Sequence, residues 1–148
     1  MAITKVLSYE DRNLSSSIIV GSRQRQFIDI DLSFAKKTTG DVYKKYDAAS
    51  VKQSVKNIIL TNYNEKPFLP SFGSSIRDLL FELADDNTAF LIEQRILTAI
   101  ENNEPRAQII RIEAQHVPDS NAVSATIIFK VINSNEPVEL SVFLQRLR

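Results

Sequence analysis

PRAQIIRIEAQHVPDSNAVSATIIFKVINSNEPVELSVFLQRLR, residues 105–148, decides the fold. After Pro105 the apolar period is two, with Ile110, Ile112 and Ala114 on one face and Ile109, Arg111 and Glu113 on the other. That alternation predicts a strand with one buried face. Pro118, Asp119, Ser120 and Asn121 form a turn leading into a second alternating run, Val123, Ala125, Ile127, Phe129 and Val131. Asn133, Ser134 and Asn135 turn the chain again, and Val138, Leu140, Val142 and Leu144 complete a third strand. Consecutive strands on short connections pair antiparallel, so the segment predicts a three-stranded meander. Its apolar face needs a cover.

The cover is supplied upstream, where the apolar period lengthens to that of a helix. Val51, Val55, Ile58 and Ile59 fall on one helical face, and Ser50 and Gln53 have the spacing of a capping box at its start. The helix stops near Asn62. Pro67 and Pro70 hold Lys66 and Leu69 out of helical geometry, while Phe68 and Phe72 are expected to pin this loop to the core. Ser74 opens a short second helix with Ile76, Leu79, Leu80 and Leu83 at i, i+3, i+4 and i+7. Asp85, Asp86, Asn87 or Thr88 caps a third, running to about Asn103, with Ala89, Ile92, Ile96, Ala99 and Ile100 along its buried stripe and Phe90, Leu91 and Leu97 widening it.

Further upstream the signal weakens. Phe27 to Phe34 alternates, Ile28, Ile30, Leu32 and Phe34 against Asp29, Asp31 and Ser33, and predicts a half-buried strand. Lys36, Lys37, Gly40, Lys44, Lys45 and Asp47 read as a polar connection. Residues 1–26 are polar apart from Ile18, Ile19 and Val20 and read as an N-terminal arm. The expected organisation is an arm over 1–26 and a single domain over 27–148. The fold class is α+β: an antiparallel sheet ending in the three-stranded meander, covered by about three helices, with the N-terminal strand added.

Composition narrows the function. Eighteen Lys plus Arg balance eighteen Asp plus Glu, so no global field draws the chain to nucleic acid or to an anionic membrane. There is no cysteine, which removes thiol catalysis, disulfides and cysteine-based zinc sites, and His116 is the only histidine. It has no second ligand at metal spacing and reads as a strand residue near the surface. No apolar run approaches the ~20 residues of a membrane span, and Met1 to Leu7 lacks a signal-peptide pattern, so the product is expected to stay where it is made. Gly21, Gly40 and Gly73 form no phosphate-cradling loop. Tyr43, Tyr46 and Tyr63 near lysines read as core or loop packing, not as a nucleic-acid stacking surface. Neither a cofactor nor a metal is implied.

The most specific segment runs from Lys66 to Arg106. Pro67, Phe68, Pro70, Phe72 and Gly73 lead into Leu79, Leu80, Phe81 and Glu82, and the next helix ends in Glu104, Pro105 and Arg106. This ordered set resembles the baseplate wedge and sheath-initiator family of contractile phage tails, which has a counterpart in type VI secretion baseplates. The resemblance covers about residues 47–117 in motifs and the C-terminal strands by pattern only. It implies a structural subunit of the virion tail baseplate, assembled in the host cytoplasm. Its implied partners are other wedge proteins and the tail sheath protein, with the tail tube or hub as further neighbours, and neither nucleic acid nor membrane.

Two candidate surfaces follow. Pro105 cannot continue a helix and pushes Glu104 toward an extended conformation, so the corner is stiff and is expected to project two opposite charges. Arg106 offers a planar donor set suited to a carboxylate or to helix-end carbonyls. The alternative is a helix terminator with an internal ion pair. The resemblance implies that Glu104, Pro105 and Arg106 contact the helical core bundle of the wedge. It also implies strand exchange with the sheath, for which the last strand, Val138, Leu140, Val142 and Leu144, is the candidate, with Phe27 to Phe34 as a second possible edge.

Proteins of this family have also been described as lysozyme-like, so the competing expectation is a peptidoglycan-cleaving hydrolase of the tail. Glycoside hydrolysis needs paired carboxyl groups, one of them with a raised pKa. Glu104 is the tempting acid, yet Arg106 two residues away pushes its pKa the wrong way. Glu113 lies beside Arg111 on a strand and Asp119 in a turn, with no spacing that indicates a cleft. The reading is therefore of a non-enzymatic assembly protein with no catalytic residue.

Overall fold

A computed structural model describes residues 27–82, 85–117, 122–132, 134 and 136–145. The expected arm over 1–26, Leu83, the turn Pro118 to Asn121, and Asn133 and Asn135 lie outside the described residues. In chain order the elements are β1 (Ile28–Ile30), β2 (Lys44–Tyr46), α1 (Asp47–Leu60), α2 (Ile76–Leu79), α3 (Asp86–Asn103), β3 (Ala107–Val117), β4 (Ala122–Val131) and β5 (Pro137–Gln145). The predicted meander is present as an antiparallel sheet in the order β3-β4-β5. The helices supply its cover, and the α+β class holds.

The core forms between that sheet and the three helices. Val123, Ala125, Ile127, Phe129 and Val131 of β4 and Leu140, Val142 and Leu144 of β5 meet Val51, Val55 and Ile59 of α1, Ile76 and Leu79 of α2, and Ile92, Ile96 and Ile100 of α3. Phe129 and Ile127 are fully buried at the centre. Each such side chain contributes about 1.5–3 kcal/mol relative to exposure. Asp85 caps α3 as expected, its carboxylate accepting from the Thr88 N–H (2.8 Å) and hydroxyl (2.9 Å).

Several expectations fail for identifiable reasons. Ser50 and Gln53 are not a capping box: α1 starts at Asp47, and both residues are buried in its first half. The Gln53 amide instead donates to the Ile30 carbonyl (2.8 Å) and accepts from the Leu32 N–H (3.3 Å), standing in for a neighbouring strand. The predicted strand over Phe27 to Phe34 stops there. Asp31 accepts from the Ser33 N–H (3.0 Å), and the chain turns with Phe34 at a φ of 52°. Instead of lining the core, Ile28, Ile30, Leu32 and Phe34 are exposed, and only Phe27 packs against it. The short β1 pairs antiparallel with β2, Ile28 opposite Tyr46, in a ribbon separate from the main sheet. β2 falls within what reads as a polar connection.

Two more differences lie in the helices and β3. α2 is a single turn, extended by i to i−3 bonds from Phe81 to Asp78 and from Glu82 to Leu79 (both 3.2 Å). Phe90 and Leu91 are exposed and do not widen the stripe of α3. In β3 a bulge lies between Ile109 and Arg111, so Ile110 turns outward while Ile109 joins Ile112 and Ala114 against the core. The loop after α1 is tight: the Ser74 N–H donates to the Thr61 carbonyl (2.9 Å) and the Ser74 hydroxyl to the Ile59 carbonyl (2.7 Å). Gly73, at a φ of 114°, allows that approach, since a Cβ there would lie 2.4 Å from the Thr61 carbonyl oxygen.

Candidate functional site

The Glu-Pro-Arg corner forms where α3 hands the chain to β3. The Glu104 N–H closes the helix on the Ile100 carbonyl (2.7 Å), and the Ala107 N–H returns to the Glu104 carbonyl (3.1 Å). The Glu104 side chain turns inward and is only 2% exposed. Arg106 grips it with two bonds, Nε to Oε1 at 2.6 Å and Nη2 to Oε2 at 2.7 Å. Two opposite charges do not project together from the corner: Glu104 is buried, and Arg106 offers the accessible cation. The guanidinium also lies 5.1 Å from the centre of the Phe27 ring, which ties the start of the described chain to the corner.

Burial raises the pKa of Glu104, but hydrogen bonds from Arg106 and Ser54, together with the Arg106 charge, outweigh it and hold the carboxyl below its ordinary value. Glu104 is therefore ionised at neutral pH, opposite to what a glycosidic general acid needs. Glu113 pairs with Arg111 on the strand. Asp119 lies outside the described residues. No group of three or more His, Asp or Glu among the described residues could hold a metal ion. His116 sits with Nε2 3.0 Å from the Asp85 carbonyl, packing β3 to the start of α3.

The sheet has two edges, and they are treated differently. On β3 the Ala114 N–H, which points away from β4, is taken by the Glu93 carboxylate of α3 at 2.7 Å. A helix side chain thus covers that edge at Ala114. The phase of the ladder is fixed by the Ile132 N–H donating to the Arg106 carbonyl (2.9 Å). From there, alternate β4 residues turn their backbone to β3 and to β5, and Ala125, opposite Ala114 and Val142, faces β5. Val138, Leu140, Val142 and Leu144 consequently spend their N–H and C=O groups on β4 and their side chains on the core. The backbone groups turned outward belong to Glu139, Ser141 and Phe143, whose side chains are exposed. Pro137 has the same parity, so its missing N–H costs the ladder nothing. Among the described residues nothing bonds to these outward groups.

An open groove of about 880 Å³ lies alongside this edge, between Glu139, Leu140 and Ser141 on one side and α1 with the Asp31 to Ser33 turn on the other. The ribbon β1–β2 forms no edge of the main sheet, so Phe27 to Phe34 does not extend it. Phe68 was expected to pin its loop, but it stands fully exposed at a φ of 66°, and Phe72 alone is sheltered, with Lys66 Nζ 4.1 Å from its ring centre. Side-chain alternation could find β5 but not the outward-facing residues, because ladder phase is a backbone property. Pro137 is the one hint in the sequence.

Comparison with known proteins agrees with this architecture. The family model of baseplate wedge protein gp25 matches residues 45–136. Baseplate wedge protein gp25 of Enterobacteria phage T4 is 32% identical over 113 residues, which cover 76% of this chain and 86% of that protein. Among solved structures, a Geobacter sulfurreducens protein provisionally called a tail lysozyme superposes with a TM-score of 0.61 at 23% identity, covering 66% of this chain and 89% of that one. A chain of the anti-feeding prophage baseplate superposes at 0.58 with 18% identity, covering 80% of this chain and 85% of that one. These two likenesses establish the fold. The family match runs from the end of β2 to residue 136, just before β5, and includes the corner; the chain belongs to the gp25 family of contractile-tail baseplate wedge proteins.

Proposed function

We propose that this wedge protein acts without catalysis, docking on neighbouring wedge proteins at the Glu104–Pro105–Arg106 corner and offering the outer edge of β5 to the first sheath subunits. The observation that carries the reading is a difference between the two edges: on β3 the Glu93 carboxylate takes the outward Ala114 N–H, while on β5 the outward groups of Glu139, Ser141 and Phe143 have no partner among the described residues. A row of open backbone donors and acceptors is a template for strand addition. Fixing that row on the baseplate removes part of the ordering cost for the first sheath ring, so polymerisation starts there. At the corner, Glu104 holds Arg106 in one geometry, and the partner meets a preoriented guanidinium instead of a mobile one.

The test is sheath assembly on baseplates carrying this chain with its β5 edge blocked. Sheath extension from those baseplates should fail while the chain itself is incorporated. Normal extension from an edge-blocked baseplate would remove the templating role. The hydrolase alternative predicts peptidoglycan clearing by the purified chain that Glu104→Gln abolishes; the depressed pKa of Glu104 speaks against it.

A further inference from the structure

The groove beside β5 has a charge pattern that specifies more than a strand. Resting on the strand-addition reading above, we infer that the segment added to β5 carries acidic side chains on the face turned toward α1. Lys52 and Lys56 both line the groove from α1, both exposed, and neither has an ion-pair partner among the described residues. The third lysine of the lining, Lys45, is already paired with Asp31 at 3.3 Å. The remaining acid, Glu139, belongs to β5 itself, and its side chain stands on the solvent face of the sheet. The wall facing an incoming strand from α1 is therefore cationic.

Spacing supports the same assignment. Residues four apart on a helix are separated by about 6 Å of rise. Alternate residues of a strand, which share one face, are about 6.6–6.8 Å apart. Two acids at i and i+2 of the added strand thus have nearly the rise that separates Lys52 from Lys56, and the small Ala49 lines the groove with them. On the opposite face the neighbours are Glu139, Ser141 and Phe143, where an acid would meet Glu139 and a basic or β-branched residue is favoured. The inferred partner segment is acidic on one face only, which also fixes which way round it lies. A uniformly basic or uniformly apolar strand would leave the two ammonium groups unanswered.

The experiment measures co-sedimentation of the purified full chain with purified sheath protein of the same tail, across a salt series. The double variant Lys52→Glu/Lys56→Glu should weaken association about tenfold at low salt, with the deficit shrinking as the ions are screened. Both lysines are exposed, so the variant should melt like the parent. Ser141→Pro, which blocks the backbone edge, is run beside it. Unchanged binding by the double glutamate variant with loss in Ser141→Pro would overturn the acidic assignment and leave strand addition standing. Tighter binding by the double variant would overturn it too, by showing a basic partner face. Binding unaffected by either variant would remove the strand-addition reading itself.

Discussion

Replacing Ser141 by proline should separate the open edge of β5 from the fold that carries it. Ser141 lies opposite Thr126, and the ladder phase turns its N–H away from β4. Proline there deletes a donor that no described residue uses and places its ring where an added strand would lie. The fold should lose about 1 kcal/mol or less, a fall of about 2–4 °C in melting temperature for a chain of this size. An added strand would lose one hydrogen bond and leave its carbonyl unsatisfied, together about 2 kcal/mol, or roughly 30-fold in affinity. Leu140→Pro is the contrasting variant: its N–H pairs with Ile127 and its side chain is in the core, so it should unfold the domain. Amide hydrogen exchange reads the same phase directly, with Glu139, Ser141 and Phe143 exchanging fast and Leu140 and Val142 slowly. A tolerated Leu140→Pro with an unfolded Ser141→Pro, or protection at the odd-numbered amides, would refute the assignment of the outward residues.

Glu104 should make the domain acid-labile. Its folded pKa lies below the ordinary 4.5, so the stability it contributes is present above that value and is lost as pH falls through the folded pKa; Glu104→Gln should be less stable at pH 7 but flatter between about pH 5 and 3 in thermal melts. Glu93→Ala frees the Ala114 N–H and should cost about 1–2 kcal/mol by urea titration while opening the β3 edge, seen as self-association by light scattering. Gly73→Ala places a Cβ against the Thr61 carbonyl at a φ only glycine adopts readily, and should destabilise by about 2 kcal/mol or more. Phe68→Gly removes no buried contact and relieves a left-handed conformation that costs an L-residue about 1–2 kcal/mol, so the melting temperature should hold or rise.

Where side-chain periodicity and burial coincide, the sequence was a good guide. β4 and β5 alternate cleanly because one face packs and the other is wet, and α3 declares its start through Asp85 and its end through Pro105. Phe27 to Phe34 alternates equally well and misleads. Alternation shows that a strand could bury one face, not that a surface is there to receive it, and the amide of Gln53 ends the strand after Ile30. The same glutamine, three residues after a serine, imitates a capping box although both are buried inside α1. The bulge at Ile110 is hidden for a related reason: one extra residue exchanges the faces of Ile109 and Ile110 without changing composition. The corner was legible as a stiff junction. The inward turn of Glu104 was not, because it depends on a hydrogen bond from Ser54, fifty residues away in α1.

The pairing of buried Glu104 with half-buried Arg106 changes how the corner must be tested and links it to the sheet edge. Charge reversal at Arg106 sets a second carboxylate against one that is 2% exposed, and leaving a buried carboxylate unpaired costs up to about 3–5 kcal/mol. Loss of incorporation in that variant would not distinguish docking from unfolding. Arg106→Lys keeps the charge and gives up the two-pronged grip, so it isolates geometry. The Arg106 carbonyl also accepts the Ile132 N–H, the bond that sets the ladder phase. Strands lie about 4.8 Å apart, which puts the β5 edge about 10 Å from the corner's own strand, across two rows of backbone bonds. Under the proposed docking, a wedge partner holding Arg106 would also hold the position of Glu139, Ser141 and Phe143. The proposed docking and templating would then act as one rigid-body constraint, and a variant that loosens the guanidinium without unfolding the sheet should blur sheath register before it abolishes incorporation.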